Sequence, residues 1–180
     1  MNKLNEMSFK SDLYGTSDHV NTITIITPEN PRAIAATPQQ NNAYKADFER
    51  ELNKKDRTKV TYRKVIGQYG SRENSYLITN LSLDEVKNLA ALFQQQSFIF
   101  GVADETKRAD VANRGSVMTF EFWQTSIQDL TPDAVITPDA YYKADEVDRL
   151  VYDADASDFF TKKRNFKFNL PFPMFNWEYI

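Results

Sequence analysis

The spacing of apolar positions changes several times along the chain, and the changes mark out its elements. Val20–Thr27 (VNTITIIT) is a β-branched run, the pattern of a buried strand. Pro28 ends it, and Pro28-Glu29-Asn30-Pro31 forms a stiff loop, because each proline fixes its own φ and restricts the residue before it. Thr37-Pro38-Gln39-Gln40 opens a helix, with Thr37 as N-cap, Pro38 at the first helical position and Gln40 closing a capping box. Tyr44, Phe48 and Leu52 then recur at every fourth position and give that helix one apolar stripe, ending near Asn53. Val60–Ile66 and Asn74–Thr79 predict two strands, and Gly67–Ser71 a turn between them, so the pair reads as a hairpin. Ser82 and Glu85 form a second capping box, with Leu81 placed to staple onto Val86. Val86, Leu89, Ala90 and Phe93 supply the buried face of this second helix, and Ser97–Val102 is a fourth strand.

The resulting order, β-α-β-β-α-β, predicts an α+β fold with a ferredoxin-like split βαβ sheet. Right-handed crossovers put the first and third strands in the centre, with the fourth beside the first. A fifth strand at Val117–Trp123 extends the sheet after a charged loop, and an irregular C-terminal extension follows. The expected division is a polar N-terminal arm over 1–18, an α+β domain over 19–125, and a C-terminal extension with an aromatic tail over 126–180. Two Thr-Pro-Asp-Ala stretches, at Thr131 and Thr137, are turn or helix starts and too short to define a repeat.

This topology brings polar residues from three distant segments to one edge of the sheet. The end of the first strand carries Glu29 and Asn30; the start of the third carries Arg72, Glu73, Asn74 and Ser75; the start of the fourth carries Gln95, Gln96 and Ser97. Glu29, Asn30, Arg72, Glu73, Ser75, Gln95 and Gln96 are the candidate ligand-binding residues, since carboxylates, amides and a guanidinium together can hold a small polar molecule. A carboxylate pair can also do acid-base work. The competing reading is that loop ends are polar in any case, with Asn30 and Ser75 only capping turns.

The pattern Ile25-Ile26-Thr27-Pro28-Glu29-Asn30-Pro31, then Asn41, then Gly67, Gly70, Glu73, Ser75, Leu77 and Ile78, then Phe93, Gln95 or Gln96, Ser97 and Phe98 resembles a family of small bacterial and phage proteins catalogued as a domain of unknown function. The resemblance runs from about Thr22 to Gly101, and the Asn165-Phe166-Lys167-Phe168 and Pro171-Phe172 stretches look like the ends of phage-borne members. It implies no activity, but its motif residues fall on the polar edge, and it points to a phage-encoded protein.

Composition narrows the function classes. Of the 180 residues 41% are hydrophobic and 13% aromatic, enough for a packed core. A net charge of -3 argues against a dedicated nucleic-acid binder, which needs a basic face to replace phosphate counterions. The absence of cysteine removes disulfides, thiolate nucleophiles and Cys-based zinc sites. His19 is the only histidine and is read as an exposed loop residue, which leaves no Ser-His-Asp triad. Asp153–Asp158 imitates a calcium loop and fails: position six is Asp158 where glycine is needed, and position twelve is Arg164 where glutamate is needed. Gly67 and Gly70 lack the Lys-Ser/Thr of a phosphate loop. No metal or cofactor is therefore expected. The polar N-terminus lacks the apolar run of a signal peptide, and no stretch reaches the ~18 apolar residues that span a bilayer, so the expected location is the host cytoplasm or a phage particle assembled there.

The tail (FKFNLPFPMFNWEYI) is the remaining signal. Pro171 and Pro173 interrupt it, so its rings are expected along a surface, either as a strap over the core or as a docking peptide. Phe175, Trp177 and Tyr179 are the candidate partner-docking residues, because aromatic side chains anchor interfaces. The functional expectation is a non-enzymatic interaction protein whose partners are other protein chains, virion-associated or packaged. The alternative is a small-ligand or nucleotide-handling protein, an enzyme or a host-defence inhibitor, using the Glu29/Glu73 edge.

Overall fold

A computed structural model describes residues 21–69, 71–103, 118–127, 130–144, 167–169 and 176–179, with strand residues 67–69, 71, 72, 103, 118–120, 167–169 and 176–179 described by their backbone alone. The elements are β1 (Thr22–Ile26), α1 (Pro38–Asn53), β2 (Tyr62–Tyr69), β3 (Ser71–Thr79), α2 (Leu83–Leu92), β4 (Ser97–Ala103), β5 (Met118–Thr125), β6 (Tyr141–Lys143), β7 (Lys167–Asn169) and β8 (Asn176–Tyr179). The protein is a mixed α and β fold: two helices on an antiparallel sheet of order β6-β5-β4-β1-β3-β2-β8-β7.

Both helices begin where their capping residues dictate. Thr37 accepts a hydrogen bond from the Gln40 N–H at 3.2 Å, and the Gln40 side chain accepts one from the Thr37 N–H at 2.9 Å. Ser82 and Glu85 make the same reciprocal pair at the start of α2, at 3.2 and 2.9 Å. Each pair satisfies two N–H groups that have no partner inside the helix.

Side chains alternate across the sheet, so one register places two sets of residues on opposite faces. Ile26, Tyr76, Ile78, Phe98 and Phe100 share the face that meets Phe48 and Leu52 of α1 and Val86, Leu89 and Ala90 of α2. Phe48 is fully buried there, its ring 4.9 Å from Tyr76 and 5.0 Å from Phe93 between centroids. Ile136 and Tyr141 join the same core from beyond β5. The intervening positions, Ile23, Ile25, Leu77, Ile99 and Val65, form a second apolar layer on the other face and are at most 2% exposed.

Two details differ from the sequence reading. Residues 67–69 and 71 of the expected turn belong to the ladder: β2 and β3 pair as far as Tyr69 opposite Ser71, and Gly67 lies inside β2 opposite Glu73. A glycine within a strand costs backbone entropy but breaks no hydrogen bond, so the ladder continues through it. The C-terminal extension, expected to be irregular, contains β6, β7 and β8. Pro171 and Pro173 remove donors only between β7 and β8, which leaves Asn176–Tyr179 free to pair with Ile66 and its neighbours in β2. The expected arm over 1–18, His19, the charged loop 104–116, the first residue of the expected fifth strand, Val117, and the calcium-like stretch 153–158 lie outside the described residues. The two Thr-Pro-Asp-Ala stretches both close as turns, through Ala134 N–H to Thr131 O and Ala140 N–H to Thr137 O, each 3.0 Å.

Phe48→Ala tests where the core is centred. Truncating a fully buried aromatic costs ~3–5 kcal/mol, because the lost transfer energy adds to that of the cavity left behind. Urea denaturation should therefore show a large fall in midpoint. An effect below ~1 kcal/mol would place the core elsewhere.

Candidate functional site

Strand pairing explains why three segments meet. Ile26 lies opposite Tyr76 and Ile25 opposite Ile99, so the residues after β1 and those at the starts of β3 and β4 emerge at one end of the sheet. There a cavity of about 270 Å³ is lined by Thr27, Glu29, Asn30, Ala33, Ala35, Glu73, Gln95, Gln96 and Ser97.

Glu29 is only 7% exposed. Its Oε2 accepts from the Asn74 backbone N–H at 3.0 Å and its Oε1 from Asn74 Nδ2 at 2.9 Å, while Lys45 Nζ of α1 stands 3.6 Å from Oε1. Thr27 Oγ1 reinforces the junction, donating to Asn74 O at 2.6 Å and accepting from the Glu29 N–H at 3.0 Å. The carboxylate thus joins the loop after β1 to β3 and to α1.

Asn30 sits in the left-handed region at φ 50°, ψ 59°, which asparagine tolerates better than most residues. Its N–H donates to Asn41 Oδ1 at 3.0 Å, and its Oδ1 accepts from Asn41 Nδ2 at 3.1 Å and from the Ala36 N–H at 3.0 Å. With the oxygen so engaged, Nδ2 is directed to Glu73 Oε1 at 2.8 Å. Arg32 and Ala33 also have positive φ, 61° and 57°. Such values disfavour residues with a Cβ, and the loop is held in them by Arg32 N–H to Gln94 O at 2.7 Å and Arg32 Nε to Ala134 O at 2.6 Å. Gln94, itself at φ 51°, exchanges hydrogen bonds with the Ile136 backbone at both ends of its amide.

Gln95 is 4% exposed, and its Nε2 donates to Glu29 O and Phe93 O, both at 3.1 Å. Tyr141 donates its phenol proton to Gln95 O at 2.5 Å; burial holds that phenol well above its usual range. Glu73 faces the cavity with its carboxyl pushed above the usual range, first by burial and then by the neighbouring Glu29 charge, against the opposing hydrogen bond from Asn30.

Of the seven predicted ligand-binding residues, Glu29, Asn30, Glu73, Gln95 and Gln96 line one cavity. Ser75 is 2% exposed within β3, opposite Val65, and is not among the lining residues. Arg72 is placed by its backbone in β3, opposite Gln68. Trp177 and Tyr179 lie in β8, opposite Gly67 and Val65, and Phe175 is outside the described residues. Asn41, Asn74 and Lys45 complete the support, together with the small residues Ala33 and Ala35 in the wall. Asn41 carried a sequence signal, an asparagine inside an apolar-striped helix that favours other residues. Lys45 carried none.

No group of three His, Cys, Asp or Glu residues among the described residues is placed to hold a metal ion, and no helix among them is long and apolar enough to cross a membrane.

With this geometry in place, the family comparison falls on the site. Residues 26–98 match the family described as "Protein of unknown function (DUF3293)". The matched stretch runs from the end of β1 into β4 and contains every residue lining the cavity. No curated protein and no solved structure matches the chain.

Glu73 makes a pH prediction with a defined sign. A carboxyl whose folded-state pKa is raised favours the fold when protonated, so this contribution is complete below the ordinary value of 4.5 and is lost as pH rises through the folded value. Glu73→Gln keeps an acceptor for Asn30 and removes the charge. Its melting temperature should exceed that of the unsubstituted protein at pH 7, and the difference should vanish below pH 4.5. Destabilisation at pH 7 would show instead that the carboxylate charge supports the fold.

Proposed function

We propose that this chain is a non-enzymatic binding protein that holds a small polar ligand in the Glu29/Glu73 cavity. The observation that carries this reading is the pair of left-handed residues Asn30 and Ala33 in the cavity wall, with a third, Arg32, between them in the chain. A backbone kept in sparsely populated conformations by the Asn41 side chain of α1 and by the Gln94 and Ala134 carbonyls has a cost of order 1–3 kcal/mol per residue, and such costs cluster at binding sites. The proposed core topology is ferredoxin-like, supported by the central order β4-β1-β3-β2 and the sequence of elements.

An enzymatic version has less support. Glu29 is engaged by Asn74 and Lys45, so Glu73 is left without a second free carboxylate for acid-base work. Nucleotides fit poorly as well. Among the described side chains no Lys or Arg lines the cavity to meet a phosphate, and about 270 Å³ lies just below the ~300–1,000 Å³ typical of small-molecule pockets. The size suits a head group.

A second reading assigns the C-terminal segment to interaction with another protein chain, in a phage-encoded protein located in the host cytoplasm or carried in a particle. The order β2-β8-β7 supports it, because β7 ends the sheet and an outer strand edge is a template for pairing. Trp177 and Tyr179 lie one strand inward from that edge.

The ligand reading predicts that a fragment library, screened by the side-chain amide signals of Asn30, Asn41 and Gln95, yields hits that shift these three together. Ala35→Phe, which fills the cavity from an exposed position, should remove the hits with little change in melting temperature. Hits that map elsewhere, or that survive Ala35→Phe, would defeat it. For the second reading, truncation after Pro173 should leave a folded monomer that no longer joins its assembly. Unfolding of the truncated chain would instead assign β8 a structural role beside β2.

A further inference from the structure

The unmatched polar atoms of the cavity define what it can hold. Gln95 is 4% exposed, and its Nε2 already serves two backbone carbonyls, which fixes the orientation of its amide. Its Oε1 therefore belongs to the cavity wall, with no partner among the described residues. Glu73 is similar: Oε1 accepts from Asn30, and Oε2 has no hydrogen bond or ion pair among the described residues. Donors are matched in the opposite way. Asn30 Nδ2 is committed to Glu73 and Gln95 Nε2 to Glu29 O and Phe93 O. Lys45, the cation nearest Glu29, is not a lining residue. Among the described residues the side chains of the wall thus offer free acceptors and a net negative charge, and the free side-chain donors are those of Gln96 and Ser97.

We infer that the cavity takes an alkylguanidinium group, whose N–H donors pair with Glu73 Oε2 and Gln95 Oε1; this rests on the reading of the cavity as a ligand site. A guanidinium has five donors and no acceptor, so it meets this wall without leaving an acceptor of its own unsatisfied. An anion would leave acceptors facing acceptors, and each hydroxyl of a sugar brings two acceptor lone pairs with its single donor. A guanidinium is also planar and more weakly hydrated than an ammonium, so it gives up its water at lower cost in a half-enclosed site. Ala33 and Ala35 provide a small apolar wall for the attached stem. The group can come from a free small molecule or from an arginine side chain of a peptide, and the recognition chemistry is shared.

The test uses the full chain and four probes of matched shape: n-butylguanidinium, n-butylammonium, n-butylurea and butyrate. Binding is followed by titration calorimetry and by the side-chain amide signals of Asn30, Gln95 and Gln96. n-Butylguanidinium should bind tightest, shift those amides, and weaken about tenfold or more on Glu73→Gln, the scale for removing one partner of a desolvated charge pair. Ala35→Phe, which leaves the polar groups intact, should abolish binding while the protein stays folded, and it keeps the test valid if Glu73→Gln perturbs folding. A blocked tripeptide, acetyl-Gly-Arg-Gly-amide, is the second arm. Tighter binding than n-butylguanidinium supports a peptide source, and binding of n-butylguanidinium alone supports a free one. If n-butylurea, butyrate or n-butylammonium binds at the same amides as tightly or more tightly, the guanidinium inference is overturned and the cavity remains a ligand site. If no probe shifts these amides, both readings fail.

Discussion

The arrangement at this end of the sheet depends on the carboxylate of Glu29. It follows a proline that ends β1, is almost fully buried, and accepts two hydrogen bonds from Asn74 at the head of β3. A buried carboxylate without such partners would cost several kcal/mol, whereas hydrogen bonds to a charged group contribute about 1.5–3 kcal/mol each. The same interaction therefore stabilises the residue and fixes the direction in which the chain leaves β1. Lys45 extends the link to α1, so one side chain sets the relation between a strand end, a strand start and a helix.

That relation makes the strained loop tenable. Three residues at positive φ within four positions would relax if only local bonds held them. They are held from outside: Asn30 by Asn41 on α1, Arg32 by Gln94 beyond α2, and Gln94 in turn by the backbone around Ile136. Each support comes from a different part of the chain, so the loop is ordered only when the fold is complete. Ile136 and Tyr141 are buried in the main core, which couples the 131–141 stretch to the cavity through packing as well as hydrogen bonds.

The core elements were legible in the sequence because their signals are local. Both capping boxes are four-residue patterns, the Phe48 and Leu52 stripe shows in the period of α1, and β1 is a plain β-branched run. The meeting of Glu29, Asn30, Glu73, Gln95 and Gln96 also followed, since it needs only the element order and the handedness of crossovers. What did not follow depends on distant partners. Gly67 looked like a turn and is a strand residue because β3 and β8 pair on either side of it. The C-terminal strands were hidden by prolines that fall between them. Ser75 shares a segment with Glu73 and lies on the same face of β3, yet it is sealed opposite Val65, and only the packing of that face tells the two apart.

The charge pattern completes the physical picture. Two carboxylates share the end of the sheet, and the cation Lys45 lies against Glu29. Among the described residues Glu73 has one amide donor, Asn30, to offset burial and the Glu29 charge, and its raised pKa records that the offset is incomplete. A core built only for stability would place a cation beside Glu73 or an amide in its position, because an imperfectly compensated carboxylate destabilises the fold at neutral pH. The backbone beside these carboxylates, at Asn30, Arg32 and Ala33, is itself strained, and the Asn41 side chain with the Gln94 and Ala134 carbonyls holds it so. Electrostatic and conformational costs thus fall at the same end of the sheet. A bound cation would relieve the first cost and give the second a purpose, since a preorganised wall need not be ordered again when the ligand arrives.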